Sequence, residues 1–282
     1  MSSPSLPSDV DCLVIDSGNL LTLADIKRKV SILPNEELAN GMLRVVNKWQ
    51  QSSGARISGR TAFVADDSNQ ANSLLLSADR QSYRITVKLF VFDDVCCGGC
   101  GGGGGTTTAD CPSLANGVDI VLDQLKIAAI DSLILSLPNR STKLSLDDIK
   151  PFWSCAETFL RDGRTAQLGI SDMDTNQLKQ LYEWSANKPS TNHINLDACC
   201  VIPEDMSAFA KQNNIQLLTH NDPKDFLPEE RFREIVAGIV GDADDGCHQW
   251  RRQWIARYSI IVSGKGILQN KGYILAAKRC PQ

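Results

Sequence analysis

Between Gly163 and Pro223, three short apolar runs alternate with two amphipathic helical patterns, and this order constrains the fold more than any other feature of the chain. The runs lie at 165–170, 193–196 and 215–219. Strand, helix, strand, helix, strand at this spacing specifies βαβ units and a parallel sheet. Asp174 is placed to cap the first helix, with Gln177 reaching back as in a capping box. Leu178, Leu181, Tyr182 and Ser185 follow at helical spacing, and Pro189 lies past the end. Pro203 fits the first turn of the second helix, where its missing N–H costs nothing. Met206, Phe209 and Ala210 form the inner face of that helix, and Asn213 and Asn214 stop it.

The same alternation extends outward. Cys12 to Ile15 reads as a short buried strand. Asn35 is placed to cap a helix whose apolar stripe is Leu38, Met42, Val45, Val46 and Trp49. Residues 51–82 carry no clear pattern beyond the run Leu74 to Leu76. Arg84 to Phe92 reads as a strand, Val118 to Ala129 as a helix, and Asp131 to Leu137 as a strand. Ser145 with Asp148 signals a capping box, followed by the face Phe152, Trp153, Ala156, Phe159 and Leu160 and a stop at Gly163. Glu229 to Val240 is expected as a helix. Trp250, Trp254 and Tyr258, at i, i+4 and i+8, suggest another. Gly266 to Leu268 and Gly272 to Ala276 read as short strands. The expected fold is therefore α/β, a (β/α)8 TIM-barrel-like domain over residues 10–282 with irregular last strands. Residues 1–9 are polar and Pro-rich and are expected to be disordered.

Composition removes several function classes. The 282 residues include 42% hydrophobic side chains and carry a formal net charge of −4, so no basic field marks a nucleic-acid binder. No apolar run is long enough to span a membrane. The amino-terminal residues lack the charged and apolar parts of a signal peptide, which makes the cytoplasm the expected compartment. Ten cysteines in a chain of this kind read mostly as reduced thiols rather than as a secreted disulfide framework. Segment 93–111 is Gly/Cys-rich and reads as a flexible loop with incidental thiols; Cys96, Cys97 and Cys100 lack the setting of a metal site. There is no dinucleotide Gly-x-Gly-x-x-Gly after a strand, no P-loop and no His-Glu-x-x-His. No metal is expected.

Segment 163–172, ending Leu-Gly-Ile-Ser-Asp, together with Lys188-Pro189, Asn192, Ile194, Asn195 and the run 214–219, resembles the second half of an aldo-keto reductase barrel. Leu-Leu-Thr-His-Asn-Asp-Pro-Lys at 217–224, the pair Cys199-Cys200 and Lys271-Gly-Tyr-Ile-Leu carry a narrower resemblance, to the regulatory (modifier) subunits of glutamate–cysteine ligase. It covers most of residues 10–280. This resemblance implies a non-catalytic subunit that forms a heterodimer with the catalytic subunit, improves its use of glutamate and weakens inhibition by glutathione. It implies no required cofactor. The alternatives are an NADP(H)-dependent aldo-keto reductase and an NADP(H)-binding pseudoenzyme.

A working aldo-keto reductase needs a Tyr acid, a Lys that lowers its pKa, an Asp that pairs with the Lys and a His that orients the substrate; hydride transfer leaves an alkoxide, which requires a positioned acid. Lys88 matches the family Lys. Ser136 stands where the His belongs. Tyr83 is the only tyrosine ahead of Lys88 and sits in the wrong context, and no Asp-x-Ala-x-x-x-Tyr element occurs. In place of the nicotinamide-binding Ser-Asn, Gln and stacking Tyr, the chain offers Ser171, Asp172, His193 and His220. These, with Lys88 and Ser136, make a degenerate pocket in which NADP(H) binding stays open. For His193 and His220, hydrogen-bonded barrel-mouth residues and pocket residues are equally weighted readings. Ser263-Gly264-Lys265 reads as a turn rather than a phosphate site. Cys199 and Cys200 follow the sixth-strand pattern. Adjacent cysteines rarely bridge each other, so they are candidates for an interchain disulfide; burial of one as a small hydrophobe is the equal alternative.

Overall fold

The computed structural model describes residues 6–7, 9–22, 32–51, 56–65, 80–92, 111–137, 144–195, 201–241 and 249–280. The Leu74 to Leu76 run, the Gly/Cys segment except Cys111, and the pair Cys199-Cys200 lie outside them.

The stretch from residue 163 to 223 folds as its pattern specifies. Asp174 caps its helix, its carboxylate accepting from the Gln177 N–H at 2.9 Å while the Gln177 side chain accepts from the Asp174 N–H at 3.1 Å. Ser145 and Asp148 make the same reciprocal box. Each box satisfies two backbone donors that the helix itself leaves unpaired. The strands are β1 (Cys12–Asp16), β2 (Arg56–Ser58), β3 (Thr61–Ala65), β4 (Tyr83–Val91), β5 (Ser132–Ser136), β6 (Leu168–Ser171), β7 (Thr191–Asn195), β8 (Gln216–His220), β9 (Trp250–Val262) and β10 (Ile267–Arg279). The helices are α1 (Pro34–Gln51), α2 (Pro112–Leu125), α3 (Leu146–Arg161), α4 (Thr175–Trp184), α5 (Glu204–Gln212) and α6 (Glu229–Val240).

All ten strands join one sheet in the order β2-β3-β1-β10-β9-β4-β5-β6-β7-β8. From β4 to β8 every neighbouring pair is parallel, giving the α/β half that the alternation requires. The irregularity expected of the last strands is large. β9 and β10 form a long antiparallel hairpin inserted between β1 and β4. Through that hairpin β1 and β3 run opposite to β4–β8.

Alternation along the strands splits the apolar residues between the two faces. Ile85, Val87 and Leu89 of β4 point to one face, where α2, α3, α4 and α5 cover them with Leu114, Trp153, Phe159, Leu178 and Met206 among others. Phe90 points to the other, where α1 and α6 pack Met42, Val46, Phe232 and Ile235 over Leu13, Ile15, Tyr273 and Leu275. Each large side chain buried this way contributes about 1.5–3 kcal/mol.

The structure departs from the expected elements at four places. Trp250, Trp254 and Tyr258 lie on strand β9, not on a helix. An even spacing of four fits one face of a strand as well as one face of a helix. A bulge in the pairing with β10, between Ala276 and Ala277, skips Gln253 and reverses the phase. Trp250 therefore packs with Ile255 on the α1/α6 face, while Trp254 and Tyr258 pack on the other. The two short runs at 266–268 and 272–276 belong to one 13-residue strand, β10, joined to β9 by the turn at 263–266. Asn35 does not cap α1, which already begins at Pro34. Its amide instead donates to the Asp225 carbonyl at 2.9 Å and accepts from the Leu227 N–H at 3.0 Å, tying α1 to the approach of α6. Pro203 likewise sits one residue before α5 rather than in its first turn.

Candidate functional site

The face of β4–β8 that bears Phe90 turns polar toward the carboxyl ends of the strands. Register places Ser136 beside Phe90, Ser171 beside His193, and Asn195 beside His220. Lys88 lies on the same face, one pleat back from Phe90, and pairs across β9 with Arg257.

These side chains converge on Asp222, just beyond β8. Lys88 Nζ donates to Asp222 Oδ2 at 2.8 Å, with both side chains almost wholly buried (3% and 4% exposed). Arg257 grips the same carboxylate with both terminal nitrogens, Nη2 reaching Oδ2 at 3.0 Å. Burial pushes the Asp222 pKa up, but the hydrogen bond from His220, then the charges of Arg257 and Lys88, overcome it and hold it far below the usual carboxylate range. Burial lowers the Lys88 pKa, against the pull of Asp222. Asn195 Nδ2 donates to the Asp222 carbonyl at 2.8 Å and fixes the loop after β8.

His220 bridges inward and outward. Its Nδ1 lies 3.1 Å from Asp222 Oδ2, and its Nε2 lies 3.0 Å from Asp172 Oδ1. As an imidazolium it donates to both carboxylates, which outweigh burial and raise its pKa. The Asp222 N–H, also 3.1 Å from Nδ1, can donate there only to the neutral ring. Asp172 completes the chain toward solvent. Its side chain is 45% exposed and accepts from Ser171 Oγ at 2.8 Å. Burial raises its pKa, but the bonds from His220 and Ser171 win and lower it. Asp172 also holds φ +63°, the left-handed region, at the end of β6; a non-glycine residue there is strained unless its surroundings fix it. Its N–H donates to the His193 carbonyl at 2.7 Å, which does so.

His193 stands apart electrically. Its ring stacks against His220 with centroids 5.9 Å apart, and both ring nitrogens are buried without a hydrogen-bond partner among the described residues. Burial first, then the nearby positive charges of Lys88, His220 and Arg257, lower its pKa to about 4.

Lys88, Ser171, Asp172, His193 and His220 are thus brought together, and Ser136 shares their face. The hydrogen-bonded reading holds for His220; His193 fits neither a bonded role nor an ionised one. Asp222 and Arg257 were missed. Asp222 lies inside the quoted 217–224 motif, so its position next to His220 was the available signal. Arg257 carried none, because its segment reads as a helix. The Lys88 ammonium meets a carboxylate, not a phenol. Tyr273 Oη donates to Glu37 instead, at 2.9 Å, and Tyr258 is buried on the opposite face. The Asp partner that a reductase lysine needs is present, but it comes from beyond β8. Cys199 and Cys200 lie outside the described residues. Among the described cysteines, Cys12, Cys111 and Cys155 form no disulfide and Cys280 is disulfide-bonded.

The chain has only three histidines, so the two in this site can be followed individually by their ring C–H resonances. His193 is expected to stay neutral until about pH 4, and His220 to stay protonated above the ordinary value of 6.5. The consequences for stability have opposite signs. His193 binds its proton more weakly folded than unfolded, so its contribution falls as pH drops from 6.5 toward 4. His220 contributes below 6.5, and that contribution is lost as pH rises through its raised folded pKa. Asp16, buried and pushed up to about 6, opposes His193 by favouring the folded state as pH falls below 6. An imidazole titration with both rings near 6.5 would contradict this assignment.

A buried lysine–aspartate pair toward the carboxyl ends of parallel strands, each followed by a helix, fits an aldo/keto reductase-type protein, and residues 68–221 match the aldo/keto reductase family. The human glutamate–cysteine ligase regulatory subunit is 33% identical over 270 residues, 95% of this chain and 93% of its own length. The bovine regulatory subunit is 34% identical over the same shares. The chain belongs to the glutamate–cysteine ligase regulatory subunit family. A putative regulatory subunit of Schizosaccharomyces pombe is 26% identical over 139 residues, 46% of this chain and 47% of its own length. Among solved structures, an aldo/keto reductase from Brucella melitensis is 21% identical with a TM-score of 0.33, covering 45% of this chain and 47% of that one.

Proposed function

We propose that this chain is a non-catalytic regulatory subunit of glutamate–cysteine ligase, which binds the catalytic subunit, lowers the glutamate concentration it needs and relieves inhibition by glutathione. The observation that carries the reading is the match to named regulatory subunits along 95% of the chain. The pocket supports the absence of oxidoreductase chemistry. A carbonyl reductase must deliver a proton as the hydride arrives. Here the Lys88 ammonium is spent on Asp222, and among the described residues no tyrosine hydroxyl meets it. The regulatory effect then consists of differential binding: the chain favours the state of its partner that holds glutamate better.

No cofactor is required by this reading. The pocket's fit to a nicotinamide is poor: Asp172 offers a carboxylate where an amide would donate, and that carboxylate is already engaged by His220 and Ser171.

The test is ligase kinetics with and without this chain. Co-purification with the catalytic subunit, a lower glutamate half-saturation and weaker glutathione inhibition are expected, and the same preparation should oxidise no NADPH with common aldehydes. Unchanged glutamate and glutathione dependence would remove the reading. So would aldehyde turnover that Lys88→Met abolishes.

A further inference from the structure

A concave site lies at the opposite ends of the strands from the Asp222 network. It is a cleft of about 530 Å³ lined by Arg80, Tyr83, Arg84, Ala128, Ala129 and Ser263, with Gln81 and Asp131 completing the wall. Its size falls within the range of small-molecule sites, roughly 300–1,000 Å³. Three pieces of chain build it: the start of β4, the connection from α2 to β5, and the turn from β9 to β10. That turn is held against β4 by the Ser263 N–H, which donates to the Ser82 carbonyl at 2.8 Å.

The two arginines of the cleft differ in what they have left to bind. Arg80 is committed, donating to the Tyr83 carbonyl at 2.9 Å, the Ala129 carbonyl at 3.0 Å and Asp131 Oδ2 at 2.8 Å. Asp131 is equally committed, since it also accepts from the Ile85 N–H at 2.7 Å. The charges of Arg80 and Asp131 therefore offset each other and brace the wall. Arg84 is exposed, and its side chain has no hydrogen bond or ion pair among the described residues. Lys265, on the turn that supplies Ser263, is also exposed. The cleft is thus lined by one arginine with free donors, together with Tyr83 and two alanines. A planar fork of donors matches a carboxylate bidentately, and apolar walls match an organic body.

We propose that this cleft binds a small organic acid, its carboxylate taken by Arg84 and its apolar body lying along Tyr83, Ala128 and Ala129. The site is separate from the Asp222 network and does not depend on the chain's partner. Isothermal titration of the full chain with hexanoate tests it, with hexan-1-ol and inorganic phosphate as comparison ligands. Hexanoate should saturate in the millimolar range or below, and both comparison ligands should bind at least tenfold more weakly. Arg84→Gln and Ala128→Phe, the second filling the cleft, should each weaken hexanoate at least tenfold. Both positions are exposed, so melting temperature should not change; if Ala128→Phe unfolds the chain, Arg84→Gln alone decides. Absence of hexanoate saturation, equal binding of the alcohol or phosphate, or undiminished binding to Arg84→Gln each overturns the proposal.

Discussion

Replacing Asp222 by Asn should destabilise the chain more than any other single change in the pocket. Asp222 is the one carboxylate shared by Lys88 and Arg257, and the substitution strands two cations in a site from which water is largely excluded. Breaking a buried pair from one side costs about 3–5 kcal/mol, because the remaining charge is left unpaired. At roughly 2–4 °C per kcal/mol for chains near this size, the midpoint should fall by on the order of 10 °C. Lys88→Met should cost clearly less, since Asp222 keeps Arg257 and His220 as partners. Thermal or urea melts of the two variants give the comparison. If Lys88→Met proves as costly as Asp222→Asn, the carboxylate is not the centre of the network.

Gly272→Ala is expected to be comparably damaging for a steric reason. A Cβ at this position on β10 would stand 2.3 Å from the Gly18 carbonyl oxygen and 2.4 Å from Tyr258 Oη. Neither can step aside cheaply. Tyr258 is fully buried, and the chain around Gly18 is pinned by the Ser17 N–H donating to the Tyr273 carbonyl at 2.9 Å and the Tyr273 N–H donating to Ser17 Oγ at 2.8 Å. Overpacking in a tight core costs about 1–3 kcal/mol and more where backbone must move; about 3 kcal/mol or failure to fold is expected here. Adding Tyr258→Phe removes the hydroxyl but leaves the Gly18 carbonyl, so it should not restore the melt. Full recovery in the double variant would place the obstacle in the Tyr258 hydroxyl alone.

The sequence was most readable where one local rule decided the outcome. The capping boxes at Ser145 and Asp174 formed as their residue types require, and Glu229 to Val240 is a helix with those limits. It was least readable where two periods coincide. Trp250, Trp254 and Tyr258 satisfy both helix and strand spacing, and neighbouring strands, which a single segment does not reveal, chose between them. That one ambiguity hid the hairpin and therefore Arg257. The pocket was half legible for the same reason. Positions following a family motif could be read along the chain. The carboxylate that organises them is recognisable only once β4, β8 and β9 are side by side.

The hairpin also sets the order in which the molecule can assemble. β4 to β8, with the helices between them, draw on neighbouring sequence and can pair as they emerge. β1 cannot: its partner along one edge is β10, with Cys12 opposite Lys278. Asn19 likewise accepts from the Lys271 N–H, 252 positions away. Closing so long a loop is entropically slow, and contacts of this range dominate folding times. The amino-terminal strand, with the α1 layer built on it, must therefore wait with its apolar face exposed until the chain through Arg279 is available. During synthesis this is the interval in which the chain is most open to aggregation and to chaperones.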